Sequence, residues 1–170
     1  MNFRSAVPED LPQLRTVFGE IIKDMYANGI PIWDEYYPCE LFPEDIEKGE
    51  LFVLTDGEII AAAFALGAEN EGAGAIRWEN PGAKALYFDR FGVNVHYRHQ
   101  GVGGLALSKA VETARQMGAD VLRLFVVDSN TPAIKFYLKQ GCRQAEGIYN
   151  EEIDEETTLQ EFGFEIKTGK

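Results

Sequence analysis

Residues Arg98 to Gly104 read Arg-His-Gln-Gly-Val-Gly-Gly. They stand between an alternating apolar stretch, Phe91-Gly92-Val93-Asn94-Val95, and an amphipathic helical pattern. A strand that feeds a glycine-rich turn at a helix start suits an anion. The first amides of a helix lack partners within it, and the helix dipole is positive there. Gly101, Gly103 and Gly104 put no side chain in the way, and Arg98 adds charge or braces the turn. The chemistry on offer is the holding of a phosphate-bearing ligand. Without a ligand, the same residues make a tight strand-to-helix turn.

Gly101-Val102-Gly103-Gly104-Leu105-Ala106 also fits Gly-x-Gly-x-x-Ala, the dinucleotide fingerprint, and Asp128 ends the next apolar run where a ribose-binding acid would sit. Three features weigh against that reading. Tyr97 to Gln100 separate the strand from the first glycine. The unit begins past the midpoint of the chain. Too little chain follows Asp128 for the remaining strand–helix units.

A second block follows. Val121 to Val127 is nearly all apolar, as a central parallel strand should be. Then come Asn130-Thr131-Pro132-Ala133-Ile134-Lys135-Phe136-Tyr137 and Gly141. The order Val93-Asn94-Val95, Arg98-x-x-Gly101-x-Gly103, then Asn130-x-x-Ala133-x-x-Phe136-Tyr137-x-x-x-Gly141 resembles the GNAT superfamily of acyl-CoA N-acyltransferases. The motifs lie within residues 93–141, and the upstream order of elements agrees over roughly the full chain. His96, where proline is common, and Cys142, where an aromatic is usual, depart from the pattern.

The resemblance implies an α/β (α+β) fold. Its mixed, mostly antiparallel central sheet has a splayed parallel strand pair and helices on both faces. It implies acetyl-CoA as acyl-donor cosubstrate and direct attack of a primary amine on the thioester in a ternary complex. The pantetheine arm would pair with the backbone of Val93 and Val95 like an added strand. The pyrophosphate would sit on the amides of Arg98, His99, Gln100, Gly101, Val102, Gly103 and Gly104. Asn130, Ala133, Phe136 and Tyr137 complete the cofactor set, with Asn130 also suited to cap its helix and Phe136 to pack in the core.

The reaction has three needs. A free alkylamine has a pKa of about 10 and must lose a proton. The developing oxyanion needs a donor, for which a backbone N–H near Val93 is placed. The leaving thiolate wants a proton, and Tyr137 matches the family position for that acid. Asp89 and Glu79 are the base candidates, together with Asp34 and Glu35, and release through water is the other route. His96 and His99 stand beside the phosphate turn and read as turn or solvent residues. Trp33, Tyr36, Tyr37 and Trp78 lie in loops that would wall the acceptor cleft, where rings can embrace a cation; the same rings can simply tie the loops down. An acyl-CoA-binding sensor without turnover is the alternative of another class.

Elements must position these residues. Phe3 to Ala6 reads as an edge strand. Pro8-Glu9-Asp10 starts a helix with Leu11, Leu14, Phe18, Ile21 or Ile22, and Met25 on one face, and Asn28-Gly29 ends it. Ile30 to Phe42 is a proline-broken loop, followed by a short helix near Pro43 to Lys48. Leu51–Leu54 and Glu58–Leu66 flank Asp56-Gly57, a hairpin signal. Residues 67–84 form a glycine-rich loop with the composition of a mobile segment. Ala85 to Val95 reads as one long strand, with Gly92 marking a bulge or a close approach. In the next helix Leu107, Ala110, Val111, Ala114 and Met117 form the buried stripe, and Gly118 ends it. A helix follows from Pro132 to Gln140, then a turn carrying Glu151, Glu152, Asp154, Glu155 and Glu156, then a strand from Thr158 to Ile166.

With 170 residues, 45% of them hydrophobic, the chain reads as a single domain over residues 1–170. Lys plus Arg number 16 and Asp plus Glu 28, a net charge of -12. That surface repels nucleic acid and anionic membranes. It suits solubility first and a cationic substrate second. Cys39 and Cys142 fit no metal or redox spacing, so no metal is expected. With no secretory signal pattern, a cytoplasmic location is expected. The partners implied are a small-molecule or peptide amine, no nucleic acid and no membrane, with a homodimer left open.

Overall fold

The computed structural model describes residues 1–169. The fold is mixed α/β, mostly antiparallel with one parallel strand pair. The chain divides into two compact units, Met1–Leu66 with Asp89–Lys109, and Gly67–Phe88 with Ala110–Lys170. Among the described residues, no helix is long and apolar enough to cross a membrane.

In the first unit the edge strand β1 (Asn2–Ser5) pairs antiparallel with β2 (Leu51–Asp56), which pairs antiparallel with β3 (Ile59–Gly67). The Asp56-Gly57 hairpin forms as its sequence indicates, with Gly57 at φ +60. β3 is buried on both faces from Ile60 to Leu66, which its alanines and large aliphatics permit without a polar face. After a 3-10 turn at Pro8–Asp10, α1 (Leu11–Ala27) buries Leu14, Val17, Phe18 and Ile21, the spacing of one helical stripe. Leu11 and Met25 lie partly buried at its two ends. The short helix α2 (Phe42–Glu47) adds Phe42, whose ring meets Phe18 edge-on at 4.9 Å.

Asp10 ties the start of α1 to β1. Its carboxylate accepts from the Val7 amide at 2.8 Å and from both terminal nitrogens of Arg4, at 2.7 and 2.9 Å. The Arg4 hydrogen bonds hold the Asp10 carboxyl below the usual range. Stability from this pair is therefore present in full above about pH 4, the unfolded value, and is lost as pH falls towards the lowered folded value. Asp10→Ala should cost about 1 kcal/mol in urea unfolding at pH 7, and the cost should shrink in acid. A pH-independent cost would remove the ionised form from this role.

In the second unit β5 (Val121–Val127) pairs antiparallel with β8 (Thr158–Lys167) along its full length. The strand β4 (Ala85–Val93) pairs with β5 in parallel from Ala85↔Val121 to Tyr87↔Arg123, while both strands run on past that register. Two strands absent from the sequence reading, β6 (Arg143–Gln144) and β7 (Tyr149–Glu152), also pair with β8. Glu151 and Glu152 therefore end a strand, and the turn begins after them. Tyr-Asn-Glu-Glu has no apolar alternation, and the backbone ladder with β8 makes it a strand.

The strand expected to reach Val95 ends at Val93, because the Asn94 side chain accepts from the His96 amide and turns the chain into a 3-10 turn at Val95–Tyr97. Its irregular residue is Arg90, at φ +50. Gly92 instead marks a close approach: a Cβ there would stand 2.8 Å from Phe18 and Ile21. On α3 (Val102–Gln116), Val102, Ala106, Leu107, Ala110 and Ala114 are buried, whereas Met117, expected in the stripe, is 53% exposed beyond the helix end. The final helix, α4 (Thr131–Lys139), stops before Gly141 at φ +93.

The loop 67–84 is anchored, contrary to its composition. Ile76 and Trp78 are buried, and the Trp78 indole donates to the Ala73 carbonyl at 3.0 Å. Beneath it Arg123, the one charge in the apolar β5 run, is 3% exposed. Its guanidinium bonds Glu165 at 3.2 Å and the Asn80 carbonyl at 2.8 Å, and lies 4.4 Å from the centre of the Trp78 ring. A buried pair of this kind adds little net stability, but losing one partner strands a charge.

Candidate active site

The glycine turn lies in the first unit, and its shape follows from a few residues. Asn94 is buried and fully used: its amide donates to the Ala61 carbonyl at 2.8 Å, and its Nδ2 to the Ile60 carbonyl at 2.9 Å. This fixes the end of β4 against β3. Downstream, His99 takes φ +60 and Gly101 φ +77 before α3 begins. Left-handed residues let a backbone turn successive amides to one side, the arrangement of an anion nest. The first helical amide to find an acceptor is that of Leu105, which donates to the Gly101 carbonyl. The amides of Val102, Gly103 and Gly104 precede it and form the free first turn.

The charged neighbours of this turn are engaged by α1. Arg98 Nη1 makes a short ion pair with Asp24. His96 Nε2 lies 3.4 Å from Glu20, with its ring largely exposed, and Gln100 Nε2 donates to the His96 carbonyl at 3.2 Å. Arg98 is therefore a brace for the turn. Val95 packs its side chain against the core of this unit.

The second block lies in the second unit. Asn130 caps α4, its Oδ1 accepting from the Ala133 amide at 3.3 Å. Tyr137 is 8% exposed, edge-on to Phe88 at 6.5 Å and to Phe136 at 5.2 Å, and tilted over Phe164 at 6.3 Å. Phe136 is half-buried. The Cys142 amide donates to the Tyr137 carbonyl, and burial pushes the Cys142 thiol up to about 11, so it stays protonated at neutral pH and is no nucleophile.

The base candidates Asp89 and Glu79 each have charged neighbours. Asp89 Oδ1 accepts from the Arg90 amide at 2.8 Å and from the Tyr37 hydroxyl at 3.5 Å, and its Oδ2 lies 3.4 Å from Arg90 Nη1. Glu79 pairs with Arg143 at 3.6 Å, and its amide donates to Glu165 at 3.0 Å. Glu165 stands opposite Arg123, four residues before Val127 on β5, which puts Glu79 about 13 Å short of the strand end that leads to Asn130. A cavity of about 870 Å³ opens at that same far end. Glu79, Asp120 and Glu165 line it with Arg115, Arg143 and Lys167, a balanced set of charges.

Of the aromatics, Trp33 stacks on Phe18 at 5.7 Å and Trp78 packs on Arg123, so both have packing roles. Tyr36 is 58% exposed, on a turn where Asp34 accepts the Tyr36 and Tyr37 amides.

The family model described as the acetyltransferase (GNAT) family matches residues 19–142. The chain belongs to the GNAT acetyltransferase family. No curated protein matches the sequence. Solved structures share the fold at low identity. A GNAT-family acetyltransferase from Streptococcus agalactiae 2603 superposes with TM-score 0.82 at 17% identity, over 99% of this chain and 96% of that one. The ribosomal-protein-S18-alanine N-acetyltransferase from Escherichia coli gives 0.67 at 19%, over 99% and 94%. The protein yncA from Salmonella typhimurium, solved with its cofactor acetyl-CoA, gives 0.66 at 12%, over 99% and 94%.

Sequence reasoning missed two features of this GNAT chain. Asp24 stands 74 residues from Arg98, with nothing local to mark it. On the face of β5, Phe125 meets Tyr149 at 6.0 Å and Trp78 at 5.8 Å, both edge-on. Tyr149 belongs to the unforeseen strand β7, and a Cβ on Gly72 would clash with both Tyr149 and Phe125. The glycines of the loop have the composition of a mobile segment, and nothing local marks Gly72 as a close approach.

Proposed function

We propose that the chain transfers an acetyl group from acetyl-CoA to a primary amine by direct attack in a ternary complex. The observation that carries this reading is the turn at residues 98–104. Two left-handed residues and a first helical turn with glycine at 103 and 104 suit a pyrophosphate, in a chain of the GNAT family. Acetyl-CoA would supply the activated thioester. The amides of Val102, Gly103 and Gly104 bind its pyrophosphate, with His99, Gln100 and Gly101 shaping the turn and Arg98 bracing it. The backbone of Val93 and Val95 takes the pantetheine arm, and Asn130, Ala133 and Phe136 complete the cofactor set. A backbone amide near Val93 donates to the developing oxyanion.

Tyr137 donates a proton to the departing thiolate. Asp89 is committed to Arg90, and Glu79 lies towards the start of β5, so proton removal from the amine is assigned to solvent. Tyr36 and Tyr37, both exposed on their loop, are the aromatics left to meet an acceptor, since Trp33 and Trp78 are spent on packing.

Thiol release from acetyl-CoA over a panel of small amines and amino-terminal peptides tests the reading, together with calorimetric titration of acetyl-CoA. Binding with turnover on at least one amine is expected. Binding without turnover on any amine would support a sensor instead, and absence of binding would sink both.

A further inference from the structure

Arg90 is the irregular residue of β4 and lies in the first unit. It takes φ +50, in the left-handed region that side chains other than glycine, asparagine and aspartate rarely enter. Such a conformation persists only where the surroundings over-determine it. Here they do. Arg90 Nε and Nη2 form a two-pronged pair with Asp45 of α2, both bonds 2.8 Å, with the two side chains 14% and 7% exposed. Asp89 closes the other side, accepting from the Arg90 amide and facing Nη1. Two residues on, Gly92 sits hard against Phe18 and Ile21. The backbone of Phe91–Val93 thus follows a pinned kink and carries a tight packing contact at Gly92.

We infer that Arg90 is a positioning residue, whose pair with Asp45 imposes the left-handed kink in β4 that aims the Phe91–Val93 amides. The inference rests on the reading above, in which that backbone meets the acyl donor. A kink set by a buried, two-pronged pair is rigid, and rigid amides are what oxyanion stabilisation requires. Arginine supplies the fork geometry that lysine lacks.

Two double variants isolate the conformation from the charge pair. Arg90→Gly/Asp45→Asn and Arg90→Ala/Asp45→Asn both remove the pair and leave a neutral group at position 45. Glycine adopts φ +50 freely and alanine does not. Amide chemical shifts of Phe91, Gly92 and Val93 in the ligand-free protein should stay near wild type in the glycine double and move in the alanine double. The kcat of the alanine double should fall at least ~10-fold below that of the glycine double, with KM for acetyl-CoA similar in the two. Equal shifts and equal kcat in the two doubles would overturn the inference. The shift comparison needs no acetyl-CoA. It decides the positioning device even if wild type fails to bind the donor, a result that would overturn the proposed function alone.

Discussion

Gly103→Glu is expected to abolish acetyl-CoA binding while leaving the fold intact. Position 103 is the second residue of α3, where a carboxylate is favourable to the helix dipole and glutamate has better helix propensity than glycine. Unfolding should therefore occur at the same temperature or slightly higher. At the bound pyrophosphate the effect reverses. A negative charge about 5 Å away costs about 3 kcal/mol at an effective dielectric of 20, or roughly 100-fold in Kd, before any steric conflict is counted. Calorimetry with acetyl-CoA, read beside a thermal melt, separates the two effects. Unchanged affinity would move the pyrophosphate away from this turn.

Tyr137→Phe carries the second large effect. The substitution removes one oxygen and keeps the ring, so its packing on Phe88, Phe136 and Phe164 should persist and the melt should barely move. If the hydroxyl protonates the leaving thiolate, kcat should fall about 100-fold with little change in KM for acetyl-CoA. A wild-type kcat would take Tyr137 out of the acid role. The buried position of the residue, 8% exposed, makes this comparison clean, because the ring has no freedom to swing aside.

Local signals served well where the physics is local. The Asp56-Gly57 hairpin, the stripe Leu14, Phe18 and Ile21 on α1, and the Asn130 cap of α4 each depend on residues within a few positions of one another. The readings that needed revision depend on partners. Val95 left its strand because Asn94 turns the chain by accepting from the His96 amide while its Nδ2 ties that turn to the β3 backbone. The loop 67–84 is anchored because Arg123 and Glu165 lie beneath it. Glu151 and Glu152 became strand because β8 offers a ladder. In each case tertiary contacts overrode composition.

The sequence by itself determined the glycine turn at the start of α3, since glycines at a helix start and the strand before them lie within about a dozen residues, and backbone sterics do the rest. Only the tertiary structure decided how that turn and the strand feeding it are held. The ion pairs that do so join Arg98 to Asp24 across 74 residues and Arg90 to Asp45 across 45. A carboxylate on a helix looks like any solvated charge until the fold presents it to a guanidinium. For that reason the brace and the strand kink were invisible in the chain, while the glycine turn they support was not.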